Sequence, residues 1–301
     1  MEPPSVSPND QPHRIGIIGG SGLQALQGLT DVERLEVQTP FSDAPVPITV
    51  GLLDATPVAF VQRHGVGHKV PPADINVRAN IAALKRVGCT QVLSMSAVGS
   101  LQEDVPPGTF VLIDQFIDRS IQREKTYFGF GLVGHVPFGE PTCARMRDAL
   151  AEAARQTGPI CRGSGTYVVM EGPQFSTRAE SHMYRQWGGT VIGMTGMPEA
   201  KLAREAEMCY AMVAMATDYD CWFDGMGMVT ADLVSERMSH MRGSAIALLR
   251  TVVAMLGGEG SSLCPHGCHR ALDTAIMTEP EHRDPVMLAQ LEYVVPRIRE
   301  I

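Results

Sequence analysis

A single α/β domain is the fold class that this chain of 301 residues predicts. Three observations carry it. Short apolar runs that end in glycine or polar residues alternate with segments whose apolar positions recur at helical spacing. No internal repeat and no Pro-, Gly- or Ser-rich linker interrupts that alternation. The composition, 44% hydrophobic and 19% charged, is that of a soluble chain able to bury its own core, which excludes wholesale disorder.

Residues Met1 to His13 are polar and Pro-rich and lack the apolar stretch of a signal peptide. They are expected to be a disordered tail ahead of one domain at residues 14–301. Arg14-Ile-Gly-Ile-Ile-Gly19 reads as a buried strand entering the turn Gly20-Ser21-Gly22. Val46 to Val50 and Pro57 to Gln62 are further short strands, the second running into Arg63-His64-Gly65. Asn76 to Arg86 places Val77, Ile81 and Leu84 on one helical face, and Gly88 ends it. Gln91 to Met95 is a strand leaving through Ser96-Ala97-Val98-Gly99-Ser100, and Gly108 to Asp114 is another. Phe116 to Pro141 reads as irregular.

Cys143 to Gln156 is helical, Gly165 to Glu171 a strand, and Thr177 to Trp187 a helix with Ser176 as its N-cap. Thr190 to Met194 is a strand with Thr195 at its exit, and Pro198 to Glu207 a helix. Met208 to Thr217 is a long apolar strand that ends in Asp218-Tyr219-Asp220. Two helices close the chain, Ala231 to Leu256 and Asp284 to Val295.

The formal net charge of −8 argues against nucleic-acid or anionic-membrane partners, while a local cationic pocket still accommodates a small anion. No apolar run reaches membrane-spanning length. Seven scattered cysteines read as reduced thiols of a cytoplasmic protein. Cys264 and Cys268 stand close together with His266 and His269 nearby, a spacing that suggests zinc. No second Cys-x-x-Cys pair completes a ligand set, so no metal is expected, and a local disulfide is the weaker alternative.

Six strand exits carry chemistry: Ser21, Arg63-His64, Ser96-Ala97, Phe175, Thr195 and Asp218 to Asp220. Ligands of open α/β sheets bind at the carboxyl ends of strands, so these turns converge on one pocket. Gly20-x-Gly22-x-x-Ala25 matches a dinucleotide fingerprint, and with it a nicotinamide-dependent oxidoreductase. Leu23 to Leu29 is too short, and carries Gly28, to supply the crossover helix. A phosphate loop built on Ser21 and a plain tight turn are the other readings. Arg63 and His64 suit an anion through paired donors, and Ser96 and Thr195 add hydroxyls or simply cap turns.

In an extended segment Asp218 and Asp220 face the same side, so one carboxyl is protonated and donates while the other accepts. A metal–diphosphate motif and a solvated pair are the alternatives. Phe175 stacks on a ring or fills the core. Met194 lines a sugar wall, whereas Met170 and Met197 read as core.

The segments Ile15-Gly-Ile-Ile-Gly-Gly-Ser-Gly-Leu23, Arg63-His64-Gly65, Asn80-Ile-x-Ala-Leu84 and Gly99-Ser-Leu101 occur in that order. Ile113-Asp-Gln-Phe-Ile-Asp118, Glu171-Gly-Pro-x-Phe175, Met194-Thr195 with Pro198-Glu199, and Ala214-Met-Ala-Thr-Asp-Tyr-Asp-Cys-Trp222 follow. The ordered set, spanning about residues 14 to 256, resembles the trimeric purine nucleoside phosphorylase family, and within it the methylthioadenosine phosphorylases. The resemblance implies a central mixed, twisted sheet flanked by helices, and a pentosyltransferase of purine and methionine salvage. It implies no metal or organic cofactor, with inorganic phosphate as co-substrate.

By that resemblance Ser21, Arg63, His64, Ser96, Ala97 and Thr195 hold phosphate, and Met194 lies against the ribose. Asp218 and Asp220 are catalytic and face the base, with Phe175 beside it. Val234 and Leu272 take the methylthio tail, and Ser176 and Ala231 tune specificity. His135 reaches a neighbouring subunit, which implies a homotrimer. Ser96 stands where the family usually has Thr, Gly193 where the methylthioadenosine enzymes have Asn, and Ser235 where an apolar residue is common. Gly193 keeps a methylthioinosine or general purine nucleoside phosphorylase open as the alternative.

Overall fold

In the computed structural model, residues 13–20, 28–225, 228–258 and 263–301 are described. The expected tail up to residue 12 and the Ser21 loop, with Gly22 and Ala25, lie outside them. Among the described residues eleven strands form one mixed sheet. The strands are β1 (Arg14–Gly19), β2 (Leu29–Thr39), β3 (Ser42–Leu53), β4 (Thr56–Gln62), β5 (Cys89–Ser100), β6 (Phe110–Ile113), β7 (Gln115–Asp118), β8 (Cys161–Arg162), β9 (Thr166–Val169), β10 (Val191–Gly193) and β11 (Cys209–Asp218). Six α-helices pack on it: α1 (Val77–Arg86), α2 (Ala144–Thr157), α3 (Arg178–Gln186), α4 (Glu199–Glu205), α5 (Ala231–Gly258) and α6 (Pro285–Val294).

The sheet runs β2-β3-β4-β1-β5-β10-β9-β7, and β11 leaves β5 to pair with β6. The strand β5 is the branch point. It pairs in parallel with β1 and β11, and its last residues pair antiparallel with β10. Strand pattern follows from this position. β1 lies between β4 and β5 with both faces covered, so it is apolar and buried from Ile15 onward. All ten residues of β11 are buried, and they alternate between two cores. Tyr210, Met212 and Ala214 join the layer of Leu84, Leu202 and Leu291, from α1, α4 and α6. Ala211, Val213 and Met215 join Leu150 and Leu248, from α2 and α5.

The structure departs from the sequence reading where a strand needs no apolar run. β2 pairs only with β3, and most of its side chains face solvent, so its charged sequence carries no strand signal. β7 lies inside the stretch read as irregular, and β5 extends through Ser96 and Ala97 to Ser100. After the glycine cluster, the next strand is this edge strand, while the parallel neighbours of β1 are β4 and β5. Among the described residues, no crossover helix leads from β1 directly into a parallel neighbour. No helix among the described residues is long and apolar enough to cross a membrane.

The cap of α3 is also corrected. Thr177, not Ser176, is the N-cap: its hydroxyl accepts the Glu180 N–H, and the Glu180 carboxylate accepts the Thr177 N–H in return. Thr177→Ala is expected to cost about 1 kcal/mol in denaturant unfolding, and Ser176→Ala much less. Equal costs would contradict the assignment.

Candidate active site

The strand exits do converge. A cavity of about 970 Å³ lies at the carboxyl ends of the central strands, roofed by the first turns of α5. Its walls include Gly20 after β1, His64 after β4, Ser96 and Ala97 of β5, Thr195 after β10, and Asp218 and Asp220 at the end of β11. Phe175, Met194, Ala231 and Val234 complete the predicted residues on its surface.

Hydroxyls and imidazole mark one end. The Ser96 and Thr195 hydroxyl oxygens are 2.8 Å apart, and the Tyr167 hydroxyl stands 3.4 Å from Thr195. His64 Nδ1 lies 3.0 Å from the Val70 carbonyl, so the neutral ring carries its hydrogen there and turns Nε2 outward as an acceptor. Burial pushes the His64 pKa down to about 4, against the Val70 bond that raises it, with Arg63 and His68 lowering it further. The sequence reading expected a further donor from His64; with Nδ1–H committed to the Val70 carbonyl and burial favouring the neutral ring, Nε2 is left as an acceptor. His68, Lys69 and Arg242 also line this cavity and carried no sequence signal.

Arg63 is not part of the wall. It is 2% exposed and lies behind Gly20, whose backbone would place a Cβ 3.9 Å from the guanidinium carbon. Its Nη2 donates to Ser94 Oγ at 2.8 Å, the Met95 carbonyl at 3.1 Å and the Ile18 carbonyl at 3.2 Å. Its Nε faces the buried Glu199 carboxylate at 3.4 Å. Glu199 in turn accepts from Ser94 Oγ at 2.8 Å and the Tyr210 hydroxyl at 2.9 Å. Arg63 Nη1 has no hydrogen-bond partner among the described residues.

Carboxyls mark the other end, though not in the extended geometry expected. Asp220 opens a short 3₁₀ turn with φ of 51°, and its N–H donates to Asp218 Oδ1 at 2.8 Å. Thr217 donates to Asp218 Oδ2 at 2.8 Å. Burial pushes Asp218 up to about 6, although the Thr217 and Asp220 donors pull it back; the charge of Asp220 adds to the rise. Burial also raises Asp220, whose Oδ2 has no partner among the described residues. A Cβ on Gly99 would sit 2.9 Å from Asp218 Oδ1, so glycine in β5 is what admits the pair.

Arg123, which sequence reasoning passed over, shapes the wall between these ends. It is 9% exposed, pairs with Glu171, and donates to the carbonyls of Met170, Glu171, Met194 and Met197. Met194 is thereby fixed over the cavity; Met197 is core as expected, whereas Met170, also read as core, lines the cavity. Gly193 has a spatial reason: a Cβ there would lie 2.2 Å from the Tyr167 hydroxyl. Tyr167, Glu199 and Arg123 act across 28 to 105 residues of sequence, which no local motif signals.

Three predicted residues lie elsewhere. Ser176 does not line the cavity, and its hydroxyl turns to Met170 Sδ at 3.5 Å. His135 is exposed beside a second cavity of about 480 Å³, together with Lys125, Lys201 and Glu205. Leu272 is fully buried in the core and does not line the cavity. Ser21 is outside the described residues.

Residues 14–254 match the family model of the phosphorylase superfamily. An S-methyl-5′-thioadenosine phosphorylase of Cereibacter sphaeroides is 52% identical over 94% of this chain and 98% of its own. One from Rhodospirillum rubrum is 49% identical over 94% and 96%. Among solved structures, a methylthioadenosine phosphorylase from an antarctic soil metagenomic library superposes with a TM-score of 0.87 at 40% identity, over 94% of this chain and 99% of its own. The Schistosoma mansoni methylthioadenosine phosphorylase in complex with adenine gives 0.83 at 35% identity, over 87% and 98%. With its strand exits gathered round one cavity and this extent of likeness, the chain belongs to the phosphorylase superfamily and, within it, to the S-methyl-5′-thioadenosine phosphorylases.

Proposed function

We propose that the protein splits S-methyl-5′-thioadenosine with inorganic phosphate, giving adenine and 5-methylthioribose 1-phosphate for salvage. One observation carries this reading: a single cavity holds a hydroxyl and imidazole group at one end and a buried, protonatable carboxyl pair at the other. The first suits a phosphate and the second a purine bearing an amino group.

The bond to break joins the ribose C1′ to purine N9. As it lengthens, its electron pair moves onto the purine and positive charge grows on the sugar. Asp218, with its pKa near 6, is protonated in part of the population at neutral pH and gives its proton to N7. Asp220 Oδ2 accepts the amino N–H of the base. Phosphate sits below C1′, held by Ser96 and Thr195 hydroxyls and the Ala97 backbone. A protonated phosphate oxygen donates to His64 Nε2. Arg63 adds its charge from behind Gly20, with Nη1 free of protein acceptors among the described residues. A phosphate oxygen then closes on C1′. The work is positioning and electrostatics, so no metal or organic cofactor is required for the chemistry. Met194 packs against the ribose, Phe175 beside the base, and Val234 against the methylthio tail. Ala231 borders the same space, and Ser235 beside it leaves tolerance for a 5′-hydroxyl.

A cytoplasmic homotrimer is part of the proposal, with the exposed His135 reaching a neighbour's cavity. Ser176 acts on specificity through the neighbours it contacts, Met170 and the Asp220 carboxyl. An oxopurine is the less suited substrate, because its O6 would face the Asp220 oxygen, acceptor against acceptor. Phosphate-dependent release of adenine from methylthioadenosine, compared with hypoxanthine from methylthioinosine and inosine, tests the assignment. Faster cleavage of either oxopurine would sink it.

Asp220→Asn is expected to cut kcat/KM for methylthioadenosine by roughly 10–100-fold, the worth of a hydrogen bond to a charged group, and to move preference towards 6-oxo purines. Unchanged preference would remove Asp220 from the base site. Ser96→Ala should raise the phosphate KM roughly tenfold, and the nucleoside KM far less. A parallel rise in both would place Ser96 outside the phosphate site.

His64 supplies a pH signature. The unfolded ring takes a proton near 6.5 and the folded ring only near 4, so stability present above 6.5 declines as pH falls towards 4. Urea unfolding at pH 6.5 and 4.5 should therefore show a smaller loss for His64→Gln than for the wild type. Identical losses would contradict the buried neutral ring.

A further inference from the structure

Four cysteines from three separate stretches of chain meet in the core beside α2 and α5. Cys143 is the N-cap of α2, Cys209 the first residue of β11, and Cys264 and Cys268 lie in the turn beyond α5. All four are buried, and their sulfurs lie within 4.8 Å of one another. The sulfurs of Cys143 and Cys264 are 3.6 Å apart. All four are free thiols.

That spacing discriminates. A disulfide would bring two sulfurs to about 2.05 Å and leave the other pair equally close. Four sulfurs at about 2.3 Å from one tetrahedral ion stand about 3.8 Å from each other. The observed separations belong to the second arrangement. We propose that Cys143, Cys209, Cys264 and Cys268 are the ligands of a structural zinc ion.

Sequence spacing left Cys264 and Cys268 without partners because their partners are 55 or more residues away, on other elements. The neighbouring histidines are not in the set: His266 is exposed and His269 half-buried. Soft thiolate donors, burial and four protein ligands select zinc and leave no open coordination position, so the site is structural. Binding releases the thiol protons to solvent and leaves the four thiolates and the dication with a charge of −2. Two features offset that charge. Cys143 stands at a helix N-terminus, where thiolate is favoured. Arg145 Nη2 is 3.9 Å from the Cys209 sulfur. No electron transfer is involved.

The ion would tie the turn beyond α5 to α2 and β11. Residues 263–301, which follow, thread Leu272 into the core and place α6 against α1. The site therefore anchors the last stretch of the chain to the sheet.

The test uses the full chain purified without chelator. About one zinc per chain is expected by mass spectrometry of the metal, released into a colorimetric zinc indicator only after a mercurial blocks the thiols. Exchange with cobalt(II) should give the strong sulfur-to-metal charge-transfer absorption of a tetrahedral tetrathiolate. Cys268→Ser should lower zinc retention by more than the roughly 10–100-fold that changes around a ligand produce. Two results overturn the proposal: wild-type protein with only trace zinc whose four thiols all titrate, or the same protein with these cysteines joined in disulfides. Both are read on the wild type, so a failure of the variant to fold does not decide the matter.

Discussion

A buried ion pair between Arg63 and Glu199 sets the positions of the strands whose ends make the cavity. The guanidinium reaches the Ile18 carbonyl of β1 and Ser94 and Met95 of β5, while its own backbone N–H bonds to Gly19. The carboxylate takes the hydroxyls of Ser94 and of Tyr210 on β11. Charges so deeply placed cost several kcal/mol each to desolvate, and only a full set of hydrogen bonds offsets that. The bonds of the set are spread over β1, β5 and β11, and the pair itself stands after β4 and on α4, so satisfying it and aligning these elements are one condition. The floor beneath Gly20 follows from it, and with it the place of a positive charge close to, but not on, the cavity surface.

The same desolvation acts with opposite sign at the two ends. It drives the imidazole of His64 to its neutral form and the carboxyl of Asp218 towards its neutral form. A chain with a net charge of −8 can therefore present a phosphate with few opposing negative charges, while keeping the acid needed for the leaving group. The overall acidic balance disfavours polyanions and says nothing about this local arrangement.

Legibility in the sequence followed the range of the physical cause. β1 and β11 were readable because both their faces are buried, so the apolar run is continuous. β2 was not, because an edge strand facing solvent has no obligatory pattern. The residue types that line the cavity were found at strand exits, since the fold class itself brings those exits together. Their states were not: Asp220 meets Asp218 through a left-handed turn, and His64 accepts because of a carbonyl six residues on. Glu199, Tyr167, Arg123 and the pairing of Cys143 and Cys209 with Cys264 and Cys268 depend on contacts between distant segments. Spacing along one chain carries no trace of them.

The contact between Gly193 and Tyr167 makes two positions one packing choice. With the phenol hydroxyl 2.2 Å from where a Cβ would begin, any side chain at 193 demands a smaller or displaced residue at 167. That same hydroxyl neighbours Thr195 and, through it, Ser96. A side chain at 193 and the Tyr167 phenol in its present place therefore exclude each other. The two positions are one packing unit beside the cavity, and a change at 193 has to be matched by one at 167.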